Sequence, residues 1–488
     1  MEILKKTLAK KIIMIFISIT LLATSSMGFV ECQQIVNKKD TQENYLTKET
    51  AENLYELLII TPQEFSKYVQ PLVDHKNKYG IKTISVTLVD VYDDNDAFWN
   101  GRDDAEKVKY FIKKSIENWG IKYVLLVGGV KGQSNEQWWI PVRYSYLNRP
   151  YNKQAEGKFL TDLYFADIYD SEDNFSSWDA DNDGLFGEWP LDCAAEDIPD
   201  LKPDVYVGRL PCRNIFEVRA IVKKIINYET QSFSDSWFKK LLVIAGDTYP
   251  NKTDYIDGEV HTQQAIDLMS DFEPVKLWAS EGTLKNWFGI VRQINKGCGF
   301  VFFSGHGAPD VWITHPVNNS KKWIGEFKLR HMPFLFNKNK LPVILSGSGC
   351  FSNMFNVSLV HSEHIDFYLT EKLVIPYGIP RCWGWSLTRK PNGGGIAVIS
   401  STGYSYESSD IDSKSGGCEW LDIHFFEQYS KENISFLGKC WGNTITRGLE
   451  NFTINWNDAS KTGDALIVKN IEQWLLIGDP SLKIGGYN

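Results

Sequence analysis

The chain has 488 residues, more than one hydrophobic core normally supports, so two packed units are expected. Hydrophobic residues at 43% and charged ones at 23% fit an ordinary globular protein. A formal net charge of −9 argues against nucleic acid as a partner, since that role needs a basic footprint.

The elements follow in chain order. Lys5, Lys6, Lys10 and Lys11 precede the apolar stretch from Ile12 to Leu22, and small residues follow from Ala23 to Ser26. This is the pattern of a secretory signal. Counted to Val30, the uncharged stretch is also just long enough to span a bilayer. Residues 1–30 therefore read as a signal peptide or as a retained membrane anchor, and the polar residues 31–50 as a linker. Either reading puts the chain outside the cell, secreted or held at its surface.

An amino-terminal α/β subdomain is expected over 51–232. Leu57 to Ile60, Thr83 to Val89, Tyr123 to Val127 and Val205 to Arg209 read as strands, with helices over Gln63–Tyr79, Ala105–Trp119 and Glu217–Tyr228. Strands alternating with helices of this length indicate a parallel, three-layer sheet. The long irregular stretch between Gly128 and Pro203 holds Asp179-Ala180-Asp181-Asn182-Asp183-Gly184. Carboxylates at positions one, three and five with glycine at six form the first half of a calcium loop. Pro190 stands where the closing glutamate belongs, so Glu188 or Asp173 would complete the shell. An Asx-rich surface turn is the alternative.

After a polar break at 230–236, residues 237–488 read as a second three-layer subdomain. Leu241 to Gly246 forms a strand ending at Asp247. Gly299-Phe300-Val301-Phe302-Phe303-Ser304-Gly305-His306-Gly307 and Leu341-Pro342-Val343-Ile344-Leu345-Ser346-Gly347-Ser348-Gly349-Cys350 are apolar runs closed by Gly and Ser. Such runs look like buried parallel strands, and an open α/β sheet binds ligands outside the carboxyl ends of its strands. His306 and Cys350 would then share one crevice. An imidazole beside a thiol raises the thiolate fraction, the requirement of thiol-dependent acyl transfer. Either residue alone reads as ordinary packing. The eight cysteines permit disulfides in an exported chain, and their spacing lacks a Cys-x-x-Cys metal pattern.

These blocks resemble the gingipain-type cysteine peptidases, a branch of the caspase-like clan. The resemblance rests on an ordered series: Tyr123 to Gly128, Thr161 to Tyr164, Pro203 to Pro211, Gly305-His306-Gly307 with Trp312, Asn339 to Cys350, and Ile477 to Leu482. It implies an α/β fold whose second subdomain is a caspase-like, mostly parallel sheet flanked by helices, and endopeptidase action on protein or peptide substrates. It implies Cys350 as nucleophile, His306 as general acid/base, and the backbone N–H groups of Gly307 and Cys350 as the oxyanion hole. Asn353 and Trp385 depart from the family pattern and favour an alternative: a catalytically silent, calcium-binding surface adhesin of the same fold. Asp247, at a strand end, is the candidate orienter of the imidazole, or a turn residue. Glu259, Thr402 and Tyr406 are the candidate substrate pocket, Glu259 selecting a basic side chain or, with Asp257, capping the next helix.

Overall fold

Ten segments become the strands of one sheet. They are β1 Leu57–Thr61, β2 Thr83–Thr87, β3 Tyr123–Val127, β4 Tyr206–Leu210, β5 Lys240–Ala245, β6 Glu273–Trp278, β7 Phe300–Ser304, β8 Val343–Ser346, β9 Ala397–Ser401 and β10 Trp474–Ile477. Their spatial order is β6-β5-β7-β8-β9-β10-β4-β3-β1-β2. The computed structural model describes residues 54–488 except 134–136, 152–153, 232–234, 253, 360–367, 370–372, 375–377, 409–415, 460–461 and 488. The segments read as signal or anchor and as linker lie outside the described residues.

All neighbouring pairs are parallel except β9 and β10. The four amino-terminal strands therefore run with β10 and against β5–β9. Ser401 pairs with Trp474, so the carboxyl end of β9 opens where β10 begins. Strands on both sides of the break at 230–236 belong to this one sheet, joined where Ile477 pairs with Arg209.

Burial on both faces explains why the central strands read as continuous apolar runs. Val301, Phe303, Ile344 and Val398 face one layer with Ile290 and Ile294 of a helix at Trp287–Lys296. Phe300, Phe302, Val343 and Ile399 face the other, with helices Cys418–Ser430 and Leu437–Asn451. A buried ionic knot ties the amino-terminal strands to the end of the chain. Lys76 Nζ lies 2.8 Å from Glu229 and 2.9 Å from Asp479. Burial disfavours its charge, but Asp479 and Glu229 more than offset that and hold it protonated. Among the described residues all seven cysteines are free thiols.

Candidate active site

His306 and Cys350 leave the carboxyl ends of adjacent strands, β7 and β8, paired from Phe300↔Val343 to Phe302↔Leu345. Beyond β7 the chain enters a short strand, His306–Ala308, that folds back on Val311–Thr314. Beyond β8 it makes a tight turn to Cys350. Two contacts hold these loops together. Gly305 N–H donates to Ser348 Oγ at 3.1 Å. Gly307 lies flat on the other turn, where a Cβ would meet Gly349 C at 2.5 Å and Cys350 O at 2.8 Å. The turn is braced from behind. Asp422 Oδ2 accepts from Gly347 N–H at 2.6 Å, while the hydroxyls of Ser400 and Ser401 donate to the carbonyls of Ser346 and Gly347.

The imidazole Nε2 of His306 sits 2.8 Å from the carbonyl oxygen of Thr248. A carbonyl only accepts, so Nε2 carries the proton and the neutral ring keeps its lone pair on Nδ1. Tyr249, His315 and Trp323 form its aromatic surroundings, with ring centroids 5.5–5.7 Å away. Burial pushes the imidazole pKa down to about 4. The Cys350 thiol lies 3.3 Å from Ser405 Oγ and accepts from Ser405 N–H at 3.4 Å. Burial raises its pKa, the Ser405 bonds oppose that, and the charges of Glu156 and Glu407 add to the rise. Uncharged thiol and uncharged imidazole are thus the resting forms.

Several expected roles change. Asp247 does not reach the imidazole: its Oδ2 accepts from Asn318 N–H at 2.8 Å, and its backbone bridges to His315. The orienting acceptor is the main chain of the next residue, Thr248. Glu259 is occupied too, taking Ser280 N–H at 2.8 Å and Ser280 Oγ at 2.5 Å, so its carboxylate braces a turn rather than offering itself to a ligand. Thr402 is buried, its hydroxyl donating to Leu160 O at 2.6 Å. The Tyr406 main chain is clamped by Asn470. Cys350 N–H donates to Ser348 O at 3.1 Å, so it meets a substrate only by exchanging that bond. Asn353 and Trp385 serve packing. Asn353 Nδ2 donates to Val398, Ser400 and Leu475 carbonyls, and Trp385 Nε1 donates to Glu217.

Four more residues bear on the site: Asp422 and Glu407 carry no sequence signal, and Asp257 and Ser348 read in the sequence only as a helix cap and as part of the turn. Asp257 accepts from the N–H groups of Thr248 at 2.7 Å and Tyr249 at 3.2 Å. Ser348 and Asp422 brace the two loops as described above. Glu407, two positions past Ser405, has a buried Oε1 with no hydrogen bond among the described residues. Burial, then Asp257, Glu419 and Asp422, raises its pKa well above the carboxylate range.

The acidic loop is formed as its spacing suggests. Carboxylate oxygens of Asp179, Asp181 and Asp183 lie within 4.8 Å of one another, and Gly184 takes a left-handed φ of +90°. Burial and the charges of Glu196, Asp183, Asp197 and Asp181 push Glu188 up to about 7. Arg102 also enters: its Nη1 lies 2.6 Å from Asp179 Oδ2 and 2.9 Å from Asn182 Oδ1. The donor set is all oxygen, as calcium requires, although Arg102 already neutralises part of its charge.

The mostly parallel, helix-flanked sheet is of the caspase-like fold, with Cys350 and His306 at neighbouring strand ends. The chain belongs to peptidase family C25, whose sequence profile matches residues 50–485. It is 21% identical over 469 residues to gingipain R2 of Porphyromonas gingivalis, covering 94% of this chain and 49% of that protein. An uncharacterized protein of Archaeoglobus fulgidus is 28% identical over 229 residues, covering 44% of this chain and 51% of that one. The chain spans about half the length of the curated relatives it matches. The crystal structure of the Arg-specific cysteine proteinase gingipain R superposes with a TM-score of 0.58 at 19% identity, over 89% of this chain and 79% of that one. The complex of the pro- and mature domains of Porphyromonas gingivalis RgpB gives 0.58 at 18% identity, over 88% and 79%. Likeness at this identity shows the fold. No helix among the described residues is long and apolar enough to cross a membrane.

Proposed function

We propose that the chain is a cysteine endopeptidase, exported to the cell surface or medium, in which Cys350 is the nucleophile and His306 the base. The observation that carries this reading is the contact of Gly307 with Gly349 and Cys350, which brings the two strand-end loops together. Cys350 Sγ attacks the scissile carbonyl as its proton passes to His306 Nδ1. That proton then goes to the leaving amine, leaving a thioester. Water, deprotonated by the same imidazole, releases the acid and restores the thiol. Because both groups rest uncharged, proton transfer accompanies attack instead of preceding it. Gly307 N–H and Cys350 N–H are the donors for the oxyanion, the latter after giving up Ser348 O.

In this reading the substrate side chain before the cut is basic and meets Glu407. A buried carboxyl oxygen without a hydrogen bond is costly, and a guanidinium or ammonium beside it lowers the carboxyl pKa and forms charge-assisted bonds. Calcium in the Asp179–Asp183 loop, with Glu188 as a further ligand, staples the long 128–203 segment. Packing accounts for Asn353 and Trp385, so neither now favours a silent adhesin. The test is digestion of a denatured protein mixture with and without a thiol alkylator. Cleavage that alkylation stops supports the reading; cleavage indifferent to it contradicts the thiol mechanism.

A further inference from the structure

The Thr248 carbonyl belongs to the same peptide group as the Tyr249 N–H. That N–H donates to Asp257 Oδ2 at 3.2 Å, and the carbonyl accepts from His306 Nε2 at 2.8 Å. A carboxylate, one peptide group and the imidazole are therefore linked in series. The other carboxylate oxygen, Oδ1, accepts from Thr248 N–H at 2.7 Å and Gly258 N–H at 2.8 Å. We propose that Asp257 is a positioning residue for His306, acting through the Thr248–Tyr249 peptide. This rests on the dyad reading above.

Three observations support it. First, Thr248 and Tyr249 lie beyond the end of β5, and Asp257 takes both of their N–H groups, so its carboxylate helps to set where the Thr248 carbonyl points. Second, the carboxylate itself cannot drift. Asp257 is 3% exposed, at the start of the helix Asp257–Leu268. A Cβ on Gly258 would stand 2.7 Å from Gly246 O, so that helix start presses on the end of β5. Third, hydrogen bonds in series polarise one another. Negative charge at the N–H end makes the carbonyl a stronger acceptor, which fixes the Nε2–H tautomer and favours the imidazolium formed as Nδ1 takes the thiol proton. The other groups facing this chain are His315 and Lys252 near the imidazole and Asp247 and Glu407 near the carboxylate. Among the described residues Asp257 forms no salt bridge, and its carboxylate is bonded to the N–H groups of Thr248, Tyr249 and Gly258.

Asp257→Asn keeps size and one acceptor, but sets an amide NH₂ against an N–H donor. The readouts on the full chain are the pH dependence of Cys350 alkylation by iodoacetamide, followed by peptide mass, and kcat and KM on peptide substrates. A melting curve accompanies each variant, and Asp257→Ser replaces the Asn variant if that one does not fold. Expected are a kcat lower by ~10-fold or more, a KM within about twofold, and alkylation at neutral pH slowed in Asp257→Asn as in His306→Ala. The double variant should be no slower than His306→Ala alone, since the two act as one unit. Wild-type alkylation and kcat in Asp257→Asn overturn the positioning role alone. So does a double variant slowed by the product of the two single effects. If His306→Ala leaves Cys350 reactivity unchanged, the dyad reading fails as well.

Discussion

Gly307 and Gly349 touch backbone to backbone, with no room for a Cβ on the former. Gly307→Ala would put a methyl 2.5 Å from Gly349 C, against main chain that the Gly305–Ser348 bond and the Asp422 brace hold fixed. The loops must part, and the oxyanion donor on residue 307 moves with them. Loss of one such donor costs ~10²–10³ in turnover, and kcat for Gly307→Ala should fall by that much. The change lies outside the ten-stranded sheet, so melting should drop by only a few degrees. Peptide kinetics beside a melting curve check both; near-normal kcat contradicts the contact.

The pH dependence of stability follows from His306. Its folded pKa of about 4 lies below the ordinary 6.5. Between these values the unfolded chain binds a proton that the folded chain does not. Stability is therefore full above about 6.5 and is lost as pH falls toward 4, by at most about 3 kcal/mol from this group. Denaturant unfolding at pH 7 and pH 4.5, on wild type and His306→Gln, isolates the term. The variant should lose less stability on acidification; equal losses contradict a half-buried neutral imidazole.

Much of this site was legible because parallel strands leave a strong signal. Runs such as Phe300–Ser304 and Val343–Ser346 are buried on both faces, and the Gly-rich turns after them mark where the chain must bend closely. What pairs with what was not legible. The partner of His306 is a main-chain carbonyl some sixty positions upstream, a contact made by any residue type at 248 and so invisible in composition. Asp247 and Glu259 had suitable chemistry and position, but nearby N–H donors that only folding brings close had already taken them. The single sheet was hidden for a similar reason. The junction rests on one short strand, Trp474–Ile477, at the far end of the chain. The acidic loop is the opposite case, since the convergence of its three carboxylates is local and follows from their spacing.

Calcium should stabilise the fold through that loop. Mutual repulsion among Asp181, Asp183, Asp197 and Glu188 is what a divalent cation relieves. At a hundredfold excess over Kd, binding adds about 2.7 kcal/mol. Chelation should lower Tm and expose 170–200 to nicking, and Asp181→Ala should lose the calcium response. Tm indifferent to calcium would mean that Arg102 alone balances the loop.

Specificity should depend on Glu407. Glu407→Gln keeps the size but cannot ionise beside a cation, and should lower kcat/KM for peptides with Arg or Lys before the cut by ~10-fold or more while sparing uncharged ones. A peptide-library profile of both proteins reads this. An unchanged profile removes Glu407 from the pocket and leaves the dyad untouched.

The central claim is a thioester on Cys350. An acid quench of the full chain during turnover of an activated peptide ester, followed by peptide mapping, tests it most directly. The account predicts an acyl mass on the Cys350 peptide of the wild type, absent from Cys350→Ala, which also fails to cleave. Peptide cleavage by Cys350→Ala at the wild-type rate, with no adduct on Cys350 in either protein, would contradict it.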